Sequence, residues 1–196
     1  MNVEPPLESG AGHWTWYGGR PALDLLNTRR ERWRRDIETL VVAGDLGGWL
    51  AEARLAPPGT ETNEAELAAA RRLRDAIDAG VDGLLDGRPV PTAAVDEIDS
   101  WLDAARLNPR LELRSGCPAL VKPPPANPVA HGLGVVALDA ARMLGTEECE
   151  RVRICASETC GVRFYDHSPA ARRRWCSMER CGNVAKARRH RRRERK

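Results

Sequence analysis

The sequence has few aromatic residues and no long apolar segment. Aromatic side chains make up 5% of its 196 residues, and no stretch approaches the roughly 20 apolar residues that a membrane-spanning helix requires. The first ten residues, MNVEPPLESG, contain neither a positively charged start nor an apolar run, so they do not resemble a secretory signal peptide. We therefore expect a cytoplasmic protein with no membrane partner, in which thiols stay reduced and disulfides are rare.

The first 150 residues also lack the motifs that most often carry catalysis. They contain no glycine-rich phosphate loop, no recognisable Ser/His/Asp arrangement and no histidine-rich cluster. We therefore expect that the protein is not an enzyme. Asp24 and Asn27 form an unusual polar pair in an otherwise apolar helix. They are candidate residues of a ligand pocket, although Asp and Asn at such positions more often form hydrogen bonds at helix ends.

Apolar residues in the first three quarters of the chain recur at the spacing of helices. Leu73, Ile77 and Val81 share one face of a helix predicted over residues 63–86. Further helix starts are predicted at a capping residue or a proline: Pro21, Asp45, Thr92 and Asn127-Pro128. Alternating apolar residues between Arg110 and Val121 predict a hairpin. The predicted fold class of this domain is mainly α with a small β-hairpin (α+β).

Charge is distributed unevenly along the chain. Residues 151–196 contain 15 Lys and Arg against 4 Asp and Glu, a net charge of +11, whereas residues 1–150 contain 16 against 24, a net charge of −8. This change of sign predicts an acidic, mainly helical domain over residues 1–148 and a basic module over residues 149–196. Basic segments of this kind bind nucleic acid, and the alternative is a solvated tail that aids solubility.

Four of the six cysteines form two matched pairs in the basic module. Cys155 and Cys160 are separated by four residues, as are Cys176 and Cys181, and fifteen residues join the pairs. Structural zinc sites draw four thiolates from two close pairs joined by a longer loop. The spacing predicts a Zn²⁺ site in a treble-clef-like, four-cysteine zinc finger, with a hairpin at the first pair and a helix start at the second. Disulfides and independent buried cysteines are the alternatives.

The remaining cysteines and the finger's histidines are not expected to bind the metal. Cys117 and Cys149 lie far apart in the sequence, and we expect both to be small buried apolar groups. Since four thiolates complete a structural site, His167 and His190 are expected in a loop or on the surface.

Basic residues on both sides of the second cysteine pair are candidates for nucleic-acid contacts. They are Arg172, Arg173, Arg174, Lys186, Arg188, Arg189, Arg191, Arg192 and Arg193. Contacts with phosphates release counterions, so binding should weaken steeply with salt. The module has only three aromatic residues, Phe164, Tyr165 and Trp175, and we expect them to pack around zinc rather than stack on unpaired bases. DNA is therefore the expected partner, and an RNA- or ribosome-associated protein is the alternative.

Several motifs carry a family resemblance. They are Cys160-Gly161, Phe164-x-Asp166-x-Ser168, Arg173-Arg174-Trp175-Cys176-Ser177-Met178, Cys181-Gly182-Asn183 and Lys186-Ala187. With these motifs, residues 151–190 resemble the CGNR zinc-finger family, whose members are assigned as stress-induced transcription regulators. Two earlier motifs resemble the ABATE domain that precedes this finger: Gly19-x-Pro21-x-Leu23-Asp24-Leu25-x-Asn27-Thr28 and Leu46-x-x-Trp49-Leu50.

The resemblance implies a zinc site at the four paired cysteines, DNA binding by the finger and sensing of a small-molecule effector by the body. We also expect a homodimer, because one small finger reads few base pairs and specific sites commonly need two modules. One residue departs from the family pattern. The Cys-Gly-Asn-Arg motif that gives the family its name ends in Arg, whereas here Val184 follows Asn183. Lys186 or Arg188 would therefore have to replace any contact made by that Arg. An enzyme in the N-terminal domain is the least favoured alternative.

Overall fold

The computed structural model describes residues 14–187, which form helices and three small antiparallel sheets. The α-helices are α1 (Pro21–Leu26), α2 (Ala43–Glu52), α3 (Glu64–Leu85), α4 (Thr92–Ser100) and α5 (Pro128–Gly145). The strands pair in sequence order: β1 (Arg29–Arg30) with β2 (Ile37–Glu38), β3 (Arg110–Arg114) with β4 (Cys117–Val121), and β5 (Val152–Ile154) with β6 (Arg163–Tyr165). Two 3₁₀ helices, Leu102–Ala105 and Glu147–Arg151, and a π-helical turn, Met178–Gly182, complete the described elements.

The predicted fold class is confirmed. The five helices precede the finger, and β3 and β4 form the predicted hairpin. None of the helices in residues 14–187 has both the length and the apolar character needed to cross a membrane.

Side-chain caps start the two longest helices where the sequence predicts them. The Oδ1 atom of Asn63 accepts from the amide of Glu66, and the Glu66 carboxylate accepts from the amide of Asn63, both at 3.0 Å. This reciprocal pair is a capping box. At α5, Asn127 accepts from the amide of Ala130 at 2.9 Å, and Pro128 occupies the first turn, where its missing N–H costs no hydrogen bond.

The core forms where α1, α3 and α5 pack against one another. Leu23 of α1, Ile77 of α3 and Leu133 of α5 are completely buried, and α2 adds the fully buried Trp49. Burying one such side chain stabilises the fold by about 1.5–3 kcal/mol. The helices therefore form the stable body on which the finger sits.

Two local predictions were wrong. Helix α2 begins at Ala43, and Asp45 lies in its first turn, where one carboxylate oxygen accepts from the amides of Val41 and Val42 at 2.7 and 2.9 Å. Asp45 thus bonds to amides that precede the helix and does not occupy the N-cap position itself. Cys117 and Cys149 are not core residues, because Cys117 follows the exposed turn of the β3–β4 hairpin and Cys149 is half-buried in a 3₁₀ helix.

Asp24 holds the turn that precedes α1. Its Oδ1 atom accepts from the amide of Gly18 at 2.8 Å, and a Cβ on Gly18 would lie 2.7 Å from the same oxygen, so this turn requires glycine. Burial, and to a smaller degree the nearby charge of Asp139, raises the pKa of Asp24 to about 7, although the bond from Gly18 opposes the shift. Asp24 is therefore a hydrogen-bonding residue whose negative charge destabilises the fold.

This raised pKa predicts a pH-dependent effect of Asp24→Asn, which retains an acceptor oxygen for Gly18. A carboxyl group whose pKa is higher in the folded than in the unfolded state stabilises the fold only at low pH, and that contribution is lost as the pH rises through about 7. The free energy of unfolding of the variant, minus that of the unmodified protein, should therefore increase by about 1 kcal/mol between pH 6 and pH 8.5. Urea denaturation at both pH values measures it, and a pH-independent difference would contradict the assignment.

Candidate metal centre and its junction with the body

The first cysteine pair lies at the turn of the β5–β6 hairpin, as the sequence predicts. The amide of Cys155 donates to the carbonyl of Val162 at 2.9 Å, one step beyond the paired strands. The amide of Cys160 donates to the carbonyl of Ser157 at 3.1 Å and closes a tight turn. The strand ends thus bring both sulfurs to one side of the finger.

The second cysteine pair lies at the start of the π-helical turn. The Ser177 hydroxyl accepts from the amide of Arg180 at 3.2 Å and caps this turn, which agrees with the helix start predicted at the second pair. Cys176 immediately precedes the cap and Cys181 lies within the turn. Residues 183–187 continue in helical conformation to the end of the described chain.

The four sulfur atoms form one compact cluster. All lie within 4.8 Å of one another, and the Sγ of Cys176 lies 3.6 Å from that of Cys160 and 3.8 Å from that of Cys181. A tetrahedral site with Zn–S bonds of about 2.3 Å has S–S edges of about 3.8 Å. Cys155, Cys176 and Cys181 are buried and Cys160 is half-buried. The donor type, number and spacing therefore fit a structural zinc ion.

The pKa values of the clustered cysteine thiols also favour the binding of a cation. Hydrogen bonds from Cys160 and Cys176 lower the pKa of Cys155 to about 2. The bond to Cys155 raises the pKa of Cys160 to about 12, and bonds to Cys155 and Cys160, with burial, raise the pKa of Cys176. A divalent cation supplies the charge that lets all four sulfurs ionise together.

Asp166 organises the loop between the two cysteine pairs. Its side chain is completely buried, and its two carboxylate oxygens accept from the amides of Ser168 and Arg173 at 2.9 and 2.7 Å. Burial raises the pKa of Asp166, but these hydrogen bonds outweigh burial and lower it below the usual range. Asp166 therefore stays ionised near neutral pH and holds the chain that leads to Cys176.

A small apolar cluster supports the cysteines. Phe164, only 1% exposed, and Trp175 pack with them, as predicted. Arg173 lies over the Phe164 ring at 5.3 Å and donates to the carbonyl of Cys176 at 2.8 Å. Tyr165 differs from the prediction, because it packs against the core of the body rather than around the cysteines.

The outer edge of β6 is hydrogen bonded to the body. The Asn27 side chain accepts from the amide of Arg163 at 3.0 Å and donates to its carbonyl at 2.8 Å, so it replaces a neighbouring strand. Two residues further along β6, the amide of Tyr165 donates to the carbonyl of Gly18 at 2.8 Å. His167, predicted in a loop, forms a 3.0 Å hydrogen bond with the carbonyl of Gly19. The finger is thus held on the body through its backbone.

Ion pairs of the buried Arg163 side chain strengthen this attachment. The Arg163 guanidinium pairs with Asp82 at 2.7 Å and lies 3.4 Å from Asp78, both on α3. The Arg163 side chain is only 9% exposed. A buried charge that loses its partner is strongly destabilising. These contacts therefore fix the finger against α3.

A junction cavity of about 230 Å³ lies between the finger and the segment around β1. Asn27 lines this cavity, whereas Asp24 does not. On the body side the wall includes Thr15 and residues 29–33, and on the finger side it includes residues 160–163, Arg180, Cys181 and Val184. Of the two residues predicted to line a ligand pocket, Asn27 lines a cavity and also bonds to Arg163. Asp24 supports the turn at Gly18 instead.

Exposed basic residues lie on both sides of the second cysteine pair in the sequence. Arg172, Arg173, Arg174 and Lys186 are all exposed, and the Arg174 guanidinium lies over the Trp175 ring at 5.1 Å. The other candidate contacts, Arg188, Arg189, Arg191, Arg192 and Arg193, lie outside the described residues, as does His190.

Arg180 is a further exposed cation that was not predicted from the sequence. It lies in the π-helical turn, with its guanidinium over the Tyr17 ring at 5.8 Å. Its position between Met178 and Cys181 in the finger motif could have indicated it.

The cysteine cluster lies within a finger of known type. Residues 151–194 match the CGNR zinc finger, so this part of the chain is a zinc-finger module, and its four-cysteine cluster suggests a bound metal ion, most consistent with zinc. Residues 19–147 match the ABATE family, described as "Putative stress-induced transcription regulator". The chain therefore belongs to the ABATE family and carries a C-terminal CGNR zinc finger. No curated protein matches the chain.

The cluster predicts that Cys176→Ser loses the metal and unfolds the finger. Three thiolates bind zinc less tightly than four, and the finger has too few apolar groups to fold without it. We expect about one zinc per chain in the unmodified protein and in the control Cys117→Ser, whose thiol lies outside the cluster, but far less in Cys176→Ser. Elemental analysis measures this. Circular dichroism should show that the body keeps its helices, and a Cys176→Ser protein that retains zinc would contradict the site.

Proposed function

We propose that the protein is a zinc-dependent, DNA-binding transcription regulator in which the finger contacts DNA and the body senses a ligand or dimerises. One observation carries the proposal: exposed cations lie directly beside the four-cysteine cluster, on the segments that the cluster holds together. Arg172 and Arg174 precede Cys176, and Lys186 follows Cys181. A metal ion at the cluster fixes these cations in one constellation.

Such a constellation suits a phosphate backbone. Arginine and lysine contacts to phosphates position a protein on duplex DNA, and sequence is read by further contacts to base edges. Val184, which stands where the family motif has Arg, is exposed, and Lys186 lies two residues further along the same helical segment. Lys186 is therefore the nearest replacement for that cation.

Two features of the described residues favour duplex DNA over single-stranded RNA and over catalysis. Phe164 is buried and Trp175 is half-buried under Arg174, so neither offers a free face for stacking on bases. Asp24 and Asn27 are both engaged in hydrogen bonds of the fold. We accordingly propose a binding protein rather than an enzyme.

Salt-sensitive binding with preferred sequences is the expected behaviour of such a regulator. If about six phosphates are neutralised, a plot of log affinity against log salt has a slope near −5. Arg172→Gln, Arg174→Gln and Lys186→Gln should each make this slope less negative by about 1. Arg106→Gln, which alters a 78% exposed side chain on the body, should leave the slope unchanged. Fluorescence anisotropy with genomic fragments and a structured RNA competitor measures this. Equal affinity for every fragment, or preference for the RNA, would contradict a sequence-specific regulator.

The β3–β4 hairpin favours dimerisation as a role of the body. Leu111, Leu113 and Leu120 are 73%, 77% and 70% exposed, and Leu111 lies opposite Leu120 across the strands. Side chains alternate between the faces of a strand, so the leucines share one face, and Arg110, Glu112 and Arg114 share the other. Since an isolated hairpin is only marginally stable and such apolar patches mark contact sites, we propose that a second copy of the chain covers this face.

A change of mass on polar substitution tests this contact. The double variant Leu111→Ser/Leu120→Ser should be monomeric at micromolar concentration, while the unmodified protein is dimeric. Val95→Ser, which alters a 52% exposed residue of α4, serves as the matched control and should remain dimeric. Sedimentation equilibrium gives the masses. An unmodified protein that is monomeric, or a double variant that is still dimeric, would contradict the proposed interface.

A further inference from the structure

The walls of the junction cavity carry an excess of positive charge. One carboxylate, that of Glu31, lines the cavity together with five arginines: Arg29, Arg30, Arg32, Arg163 and Arg180. Glu31 is already bonded to Arg35 at 2.5 and 2.7 Å. Among residues 14–187, the side chain of Arg30 forms no hydrogen bond or ion pair. Arg29, Arg32 and Arg163 pair with Asp36, Asp78 and Asp82, which lie outside the wall. Within residues 14–187, Arg30 and Arg180 are thus the lining arginines without an ion pair, and they suit the cavity to a negatively charged guest.

Three cavity-lining residues also have buried polar atoms without partners. In the part of the chain that the structure describes, Nε of Arg32, Nε of Arg163 and Oγ1 of Thr15 are buried and form no hydrogen bond. The side chains of Arg163 and Arg32 are only 9% and 12% exposed. Leaving such a group unsatisfied costs about 1–3 kcal/mol, so buried polar atoms nearly always have a partner. Because water cannot reach these three atoms, they offer a guest in the cavity no contact.

The electrostatics of Arg32 agree with a negatively charged guest. Burial lowers the pKa of Arg32 to about 10, and the charges of Arg163 and Arg74 add to the shift, although Asp78, 3.2 Å away, opposes it. The guanidinium remains protonated near neutral pH but has too little compensating negative charge. An anion in the cavity would provide it.

The cavity adjoins the candidate metal site. Of the four cysteines only Cys160 and Cys181 line it, and the Sγ of Cys176 lies 3.6 and 3.8 Å from the sulfurs of these two residues. The cavity volume of about 230 Å³ falls below the roughly 300–1,000 Å³ of pockets for drug-sized ligands. The guest is accordingly a small molecule with one or two anionic groups.

Both the body and the finger form the cavity, and Trp33 joins them. The Trp33 ring lies so close to Gly161 that a Cβ at this position would overlap it, and Gly161 has a positive φ of 63°. Residue 161 must therefore be glycine for the finger to sit against this ring. A ligand between Arg30 or Arg32 and Arg180 would contact both parts of the chain at once.

We propose that the junction cavity binds a small phosphate- or carboxylate-bearing molecule whose acceptor oxygens meet Arg30 and Arg180, and that this ligand changes the affinity of the finger for DNA. The second half of the proposal rests on the proposed function. The first half does not, because it concerns only the cavity and its arginines. A ligand alters DNA affinity only if it binds the DNA-competent arrangement of finger and body with a different free energy.

The site is tested first without DNA. Zinc-loaded full-length protein is titrated with inorganic phosphate, and separately with acetate, by isothermal titration calorimetry at constant ionic strength. We expect saturable binding at one site for at least one probe, weakened about tenfold or more by Arg30→Gln. Arg34→Gln, a 60% exposed residue of the same turn that does not line the cavity, is the matched control and should bind normally. No saturable binding, or equal weakening by both substitutions, would overturn the site.

The coupling is tested next with duplex DNA at the same ionic strength. A saturating probe should shift the DNA affinity at least severalfold in the unmodified protein and in Arg34→Gln, but not in Arg30→Gln. Probe binding with no shift would overturn the coupling and leave the site. Strict competition between probe and DNA would show that the cavity holds a backbone phosphate and would overturn the small-molecule ligand. Absence of any DNA binding would refute the proposed function while the calorimetric result still decides the site.

Discussion

The metal–thiolate site that we propose at the four cysteines is the interaction on which the finger would depend. The hairpin of the finger has strands of three residues each, and its apolar support consists of Val162, Phe164 and Trp175 around the sulfurs. So small a cluster cannot offset the conformational entropy of the chain around it. Metal binding supplies that free energy, because a structural zinc site forms only when its ligands are brought together by folding. The buried Asp166 and the cap at Ser177 then orient the two cysteine-bearing segments.

The contacts between the finger and the body fix the orientation of the finger. Asn27 and Gly18 bond to the free edge of β6, and Arg163 reaches across to Asp82 of α3. The finger is thus attached to the body through backbone hydrogen bonds and a partly buried ion pair rather than through the connecting chain alone. Residues next to α1 and residues of α3 therefore contact β6 of the finger directly. For this reason we propose the boundary between body and finger as the place where a ligand acts.

Features encoded by short-range patterns could be predicted from the sequence, and features made by distant residues could not. The matched cysteine spacing indicated the sulfur cluster, and the caps at Asn63 and Asn127 marked helix starts, because these depend on neighbours within a few residues. The bonds between Asn27 and Arg163 join residues 136 positions apart, and no periodicity indicates them. The same limit explains why Asn27 was grouped with Asp24, and why the cavity beside Arg30 was not foreseen. Cys117 was placed in the core from its residue type alone, whereas the exposed hairpin turn decides its position.

X-ray absorption at the zinc K-edge of the purified, reduced full-length protein tests the central claim most directly. We predict a single shell of four sulfur atoms at about 2.3 Å with no nitrogen or oxygen ligand. A shell containing nitrogen or oxygen, fewer than four sulfurs, or a protein that holds no zinc would contradict it.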